Sequence, residues 1–246
     1  MTTQATDSRP TACLRVGHSI ITAGSSLDDV AARLAGSSWD MVELDVLTRD
    51  GELVVAHDPG DLSLPDQIPF VDALGVLREL LPEAVQLDVD VKAAGYEEQV
   101  VDALRSLELS ERTLVSTMEL QSLRALRTIA PELRLGWSVP KARRNYLEHP
   151  LTRPGAHAVL AYLRRTLPRA AVARLRAGVA DAIMAHWGVV TPALAAVVRD
   201  LNRELYVWTV DDPERLIALE SLGVTGVVTN DRDLFDRAGF ARADGA

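Results

Sequence analysis

Glu43 and Asp45 stand in a run where Val42, Leu44 and Val46 alternate with them, the period of a strand. Strand side chains alternate between faces, so both carboxylates project the same way. Two acids that close repel each other, and a buried pair needs a compensating charge. A divalent cation bound by oxygen ligands supplies it. After Arg49-Asp50-Gly51, an Asp-Gly turn between apolar runs, Leu53 to Ala56 returns as a second strand and ends at His57-Asp58-Pro59. This hairpin brings an acidic pair and an imidazole towards one place. The alternation recurs in Val85 to Lys92, where Asp88, Asp90 and Lys92 share the face opposite Leu87, Val89 and Val91. His18 follows a short apolar run from Cys13 to Val16. These residue types allow metal-assisted and acid–base chemistry, although each stretch alone is also what a solvated strand face or a loop carries.

The elements that must position them read as strands near residues 14, 43, 88, 115, 136, 183, 207 and 227. Helices are predicted between most of them. Leu27 to Leu34 follows a Ser25 or Ser26 cap with Asp28 and Asp29 in its first turn. Val71 to Leu81 stops at Pro82, and Tyr96 to Leu107 and Leu120 to Ile129 follow. Ala170 to Ala177 is helical, with much of Gly155 to Leu167 read the same way, whereas Leu62 to Pro69 reads as a loop. Thr191 caps a helix with Pro192 at its first position, and Pro213 to Leu222 ends before Gly223. Strands alternating with helices imply a parallel sheet, and eight such units in 246 residues imply an α/β fold of the closed (β/α)8 barrel type. Barrel chemistry sits at the C-terminal strand ends. His18, Glu43, Asp45, Asp90, Lys92, His186, Trp208 and Thr229 all fall at or near such ends.

Composition narrows the partners. Hydrophobic residues make up 48% of the chain, enough for a sizeable core. The formal net charge of −9 argues against nucleic acid as the main partner. No apolar run approaches the length of a membrane span, and the polar start of the chain lacks the apolar core of a secretory leader. Cys13 is the single cysteine, which excludes an internal disulfide and a cysteine zinc site. A cytoplasmic protein is expected, with one domain over residues 12–240 between flexible tails at 1–11 and 241–246.

With these pieces in place, the sequence resembles the glycerophosphodiester phosphodiesterases. The similarity is carried by Gly17-His18, ELDV (43–46), DGELVVAHD (50–58), VDVK (89–92), YVWTVDDPE (206–214) and LGVTGVVTND (222–231). It spans nearly the whole chain after the first residues, in the family's order. It implies a TIM barrel of the PLC-like phosphodiesterase type that hydrolyses phosphodiesters, with a small-molecule or lysolipid diester as substrate. Carried over residue by residue, it makes His18 and His57 the catalytic acid–base pair. Glu43, Asp45 and Asp90 become ligands of a divalent cation, Mg2+ or Ca2+. Lys92 becomes a phosphate contact, and it is one of only two lysines against 24 arginines. Trp208 matches a pocket-lining tryptophan, with packing at the barrel mouth as its equal alternative. His186 is assigned a structural role.

The sequence also departs from the family pattern. Asp90 stands where the family has Glu, one methylene longer. Ser19 replaces the arginine that follows the histidine and contacts phosphate, a charged contact worth on the order of 10²-fold in rate. The Pro-Glu-Asn-Thr element before the first helix is missing, and the family's long insertion is reduced to Gly60–Pro69. The shorter cover implies a more open site, suited to a bulkier or lipid-like diester. Between Lys141 and Arg176 there are nine basic residues against Glu148 alone. Either Arg143 or Arg144 replaces the missing arginine, or this stretch touches anionic lipid, or it is a solvated basic face, the reading the residues favour. The alternative activities are a phospholipase D-like one of the lysophospholipase or sphingomyelinase D type, and a non-catalytic binding protein on the same barrel.

Overall fold

The computed structural model describes residues 13–35, 38–139 and 153–240. Within them, eight parallel strands close into a barrel: β1 (Leu14–Gly17), β2 (Met41–Arg49), β4 (Gln86–Val91), β5 (Thr113–Thr117), β6 (Arg134–Val139), β7 (Ala182–His186), β8 (Glu204–Trp208) and β9 (Gly226–Thr229). Closure is explicit, because β1 pairs with both β2 and β9. β3 (Glu52–Val55) lies antiparallel on the far half of β2 and completes the expected hairpin. Its two-residue turn places Asp50 at φ 52° and Gly51 at φ 88°, the left-handed pair that matches strand twist.

Helices α1 (Leu27–Leu34), α2 (Phe70–Leu80), α3 (Glu97–Ser106), α4 (Leu120–Ile129), α5 (Arg153–Arg176), α6 (Pro192–Asp200), α7 (Pro213–Ser221) and α8 (Leu234–Arg237) follow the strands. Ser26 caps α1 through a reciprocal box with Asp29. Thr191 caps α6 by accepting from the Leu194 amide at 3.1 Å. α5 is one continuous helix of 24 residues that contains Pro168, where the sequence reads as two pieces. A short 3-10 turn at Asp61–Ser63 and a bridge between Val54 and Pro69 organise the segment read as a loop. No helix among the described residues is long and apolar enough to cross a membrane.

Side-chain parity divides the strands. Val42, Leu44, Val46, Leu87, Val89, Val91, Val115 and Ile183 face outwards and form the large core with the helices. The inward set is smaller. Val16, Met41, Leu114, Ala182, Met184, Tyr206 and Val228 plug the barrel. Above this plug the inward positions of β2 and β4 change to acids.

Gly17 ends β1 directly before His18, and a Cβ there would sit 2.9 Å from the Trp39 ring carbons and 3.0 Å from Ile20 Cδ1. Gly17→Ala is expected to lower stability by about 1–3 kcal/mol, the cost of overpacking a filled site. Urea unfolding checks this, and a midpoint equal to wild type would contradict the close approach of Trp39.

Candidate active site

β2 and β4 bring the acids together. Their parallel register sets Glu43 beside Asp88 and Asp45 beside Asp90. Oxygens from Glu43, Asp45 and Asp90 lie within 4.8 Å of one another. Glu43 and Asp45 are each only 4% exposed and Asp88 2%. Burial, followed by repulsion from Asp45, pushes Glu43 well above the usual carboxylate range. Burial raises Asp90 too, although Lys92 pulls the other way. Asp88 is pushed up to about 8, first by burial and then by the Asp90 charge.

The counter-ion is Lys92. Its ammonium lies 2.5 Å from Asp45 Oδ1 and 2.6 Å from Asp90 Oδ2. Burial alone would depress its pKa, but attraction to Asp90, Asp45 and Glu43 outweighs this and raises it. With Asp88 protonated at neutral pH, the three remaining acids still outnumber the one ammonium that faces them. Burial first, and repulsion among the acids after it, raises Glu43 and Asp90, and such a cluster binds a proton or a cation more readily than an isolated exposed acid does. An all-oxygen donor set on fixed strands fits a hard divalent cation, which Glu43, Asp45 and Asp90 would hold.

Hydrogen bonds hold the ends of these strands. The buried Tyr96 hydroxyl donates to the Val46 carbonyl at 2.7 Å and accepts from the Ala93 amide at 3.0 Å. The Lys92 amide also donates to Val46 O, and the Ala56 amide donates to Asp45 O.

His18 leaves β1 with its amide donating to the Thr229 carbonyl at 2.9 Å. Its Nδ1 lies 2.8 Å from Asn230 Oδ1, and its Nε2 faces Glu43 Oε2 at 3.9 Å. Ser19, at φ 52°, donates its amide to Glu43 Oε2 at 3.2 Å. Its hydroxyl lies 3.2 and 3.4 Å from the two ring nitrogens of His18. A neutral donor therefore stands where the resemblance would put a guanidinium. His57 is exposed, and its turn is fixed by Asp61 Oδ2, which accepts from the amides of His57 and Asp58 at 2.9 and 3.2 Å.

A cavity of about 140 Å3 at the barrel mouth is lined by His18, Glu43, His57, Asp88, Asp90, Lys92 and Trp208, with Ser116, Ser138, Met184 and Val228 among its other walls. A neighbouring hollow of about 230 Å3 is bounded by His57, Asp45, Asp58 and Asp61. The two imidazoles, the ammonium, Trp208 and the acids named from the sequence thus surround one space; Asp45 borders the adjoining hollow. His186 does not line the cavity. Its Nδ1 accepts from the Gly188 amide at 3.0 Å, and its ring meets Trp208 edge-on at 5.2 Å. Burial and then Arg215 lower its pKa. Arg143 and Arg144 lie outside the described residues. Asp61, Asp88, Asp211 and Asn230 were not singled out as site residues from the sequence. Asp88 carries a direct signal, its shared parity with Asp90, while Asp211 and Asn230 lie within the YVWTVDDPE and LGVTGVVTND stretches that carry the resemblance.

The sequence profile of the glycerophosphoryl diester phosphodiesterase family matches residues 73–234. A glycerophosphodiester phosphodiesterase from Caldanaerobacter subterraneus is 25% identical over 236 residues, covering 78% of this chain and 82% of that protein. Among solved structures, the glycerophosphodiester phosphodiesterase of Agrobacterium tumefaciens superposes with a TM-score of 0.64 at 17% identity, covering 92% of this chain and 100% of that one. An Oleispira antarctica phosphodiesterase in complex with the product sn-glycerol-3-phosphate gives a TM-score of 0.62 at 16% identity, covering 92% and 97%.

Asp88 gives this site a measurable pH signature. Between its ordinary value of 3.8 and about 8, the unfolded chain sheds this proton while the folded chain keeps it. The stabilising contribution of Asp88 is therefore whole below pH 3.8 and declines as pH rises towards 8, by at most about 1.4 kcal/mol per pH unit. Asp88→Asn removes that dependence. In EDTA, its gain in melting temperature over wild type is expected to be absent near pH 4 and to grow up to about pH 8. A difference independent of pH would contradict the buried neutral acid.

Proposed function

Because this chain belongs to the glycerophosphoryl diester phosphodiesterase family, we propose that it is a divalent-metal-dependent hydrolase of phosphodiesters, with glycerophosphodiesters as the substrate class. The observation that carries this reading is the grouping of Glu43, Asp45 and Asp90 within 4.8 Å, beside a cavity lined by Lys92 and two histidines. When bound by those three acids, Mg2+ or Ca2+ would supply positive charge to the non-bridging phosphate oxygens. Lys92 is the only Lys or Arg among the described residues lining that cavity, and it adds a fixed ammonium on the same side.

His18 and His57 divide the proton work. One takes the proton from the attacking oxygen, of water or of a neighbouring hydroxyl on the alcohol, and the other protonates the departing alkoxide. Imidazole can take and give a proton in neutral water, which suits both tasks. The Trp208 ring gives the cavity an apolar wall for the substrate's carbon skeleton. Ser19 holds Glu43 and touches His18 but brings no charge to the phosphate. With only residues 56–69 between β3 and α2, and Gly60–Pro69 in place of a long insertion, the mouth stays open, which supports diesters with a larger alcohol, lysophospholipids included.

Turnover of a chromogenic phosphodiester is expected to vanish in EDTA and return with Mg2+ or Ca2+. His18→Ala and His57→Ala should each lower kcat by about 10²- to 10⁴-fold. A panel of glycerophosphodiesters and lysophospholipids then sets the preferred alcohol. Turnover that persists in EDTA, or in both histidine variants, would overturn the proposal.

A further inference from the structure

The end of β9 and the loop after β8 share a hydrogen-bond chain in which each donor is assignable from chemistry. The Asp231 amide donates to Thr229 Oγ1 at 3.0 Å, so the single hydroxyl proton of Thr229 goes to its other partner, Asp211 Oδ1, at 2.8 Å. The Asn230 amide donates to the same oxygen at 2.9 Å. Asn230 Nδ2 donates to Asp211 Oδ2 at 3.0 Å. Burial pushes the Asp211 carboxyl up, but the hydrogen bonds from Asn230 and Thr229 outweigh it and hold the group below its ordinary value. An ionised carboxylate only accepts, which fixes the orientation of the Asn230 amide: nitrogen towards Asp211, oxygen towards His18. That oxygen lies 2.8 Å from His18 Nδ1, so Nδ1 must carry the hydrogen.

We propose that Asp211 and Asn230 are positioning residues that hold His18 as the Nδ1–H tautomer, leaving Nε2 as the atom that exchanges a proton with substrate. The inference rests on the phosphodiesterase reading above for its catalytic meaning, although the tautomer itself does not. His18 lines the cavity, and its Nε2 is the nitrogen on the side of Glu43, another lining residue, at 3.9 Å, whereas Nδ1 meets Asn230. Free imidazole in water favours the opposite tautomer, so a directional acceptor is needed to reverse it. Asp211 never touches His18. It acts by preventing the Asn230 amide from turning over, since a reversed amide would point its NH2 at Nδ1 and force the hydrogen onto Nε2. Asp211 and Asn230 lie at the exposed rim of the barrel, so each contributes little to stability and can be changed without loss of fold.

The test is the tautomer, read by two-bond 1H–15N correlation of the imidazoles at alkaline pH, with the His18 signals identified by their loss in His18→Gln. Wild type is expected to show a protonated Nδ1 and a bare Nε2. Asn230→Ala removes the acceptor and should give a mixture, with kcat lowered roughly 10- to 100-fold, the usual effect of losing an orienting partner, at unchanged KM. Asp211→Asn gives residue 211 an amide that can donate to Asn230, so the Asn230 amide turns over and the Nε2–H form should dominate. Asp211→Asn should therefore cost at least as much kcat as Asn230→Ala, with the melting temperature near wild type in both. A wild-type Nε2–H spectrum, or an unchanged tautomer in both variants, would overturn the proposal. So would a changed tautomer with unaltered kcat. If wild type hydrolyses no phosphodiester, the spectra still decide the tautomer, so failure of the functional reading stays distinguishable.

Discussion

Charge held out of water governs this molecule. Four acids project into the barrel from two neighbouring strands, and one ammonium answers them. Isolated, each buried carboxylate would be expensive. Together they are tolerated because Lys92 bridges Asp45 and Asp90, because Asp88 keeps its proton to about pH 8, and because Ser19 donates its amide to Glu43. The acids still outnumber the ammonium, and a hard divalent cation held by Glu43, Asp45 and Asp90 would offset them without disturbing the strands.

The rest of the fold can be understood as the frame that makes this crowding permanent. Strand parity turns every second residue of β2 and β4 inwards, and the register between them leaves the acids no freedom to separate. Hydrogen bonds to the carbonyls of Asp45 and Val46 fix the strand end beneath the site. The apolar plug seals the barrel below, so the site opens only towards the mouth. Each imidazole arrives by a different device. His18 follows a glycine packed against Trp39, and His57 sits on a turn tied by Asp61.

Much of this was legible in the chain itself, for a physical reason. Alternation of apolar and acidic residues is a local signal, and it sets Glu43 with Asp45 on one strand face and Asp88 with Asp90 and Lys92 on another. The Asp-Gly turn marked the hairpin, and strand counting gave the barrel. What stayed hidden depends on contacts between distant segments. Nothing local in Asp211 or Asn230 says that they meet each other and His18, which precedes Asn230 by 212 residues. Asp61 has the same difficulty at shorter range, because its role exists only once its turn is folded. Lys92 was assigned to phosphate, and its engagement by both Asp45 and Asp90 appears only when register is known. The single long helix α5 was obscured by Pro168, which the helix accommodates.

Calorimetric titration with Mg2+ and Ca2+ at pH 7 tests most directly whether Glu43, Asp45 and Asp90 form a cation site. One ion per chain is expected, held by the three acids whose oxygens lie within 4.8 Å of one another. Binding should be abolished in Glu43→Gln and Asp45→Asn. No saturable binding up to millimolar metal, or binding that survives both substitutions, would contradict it.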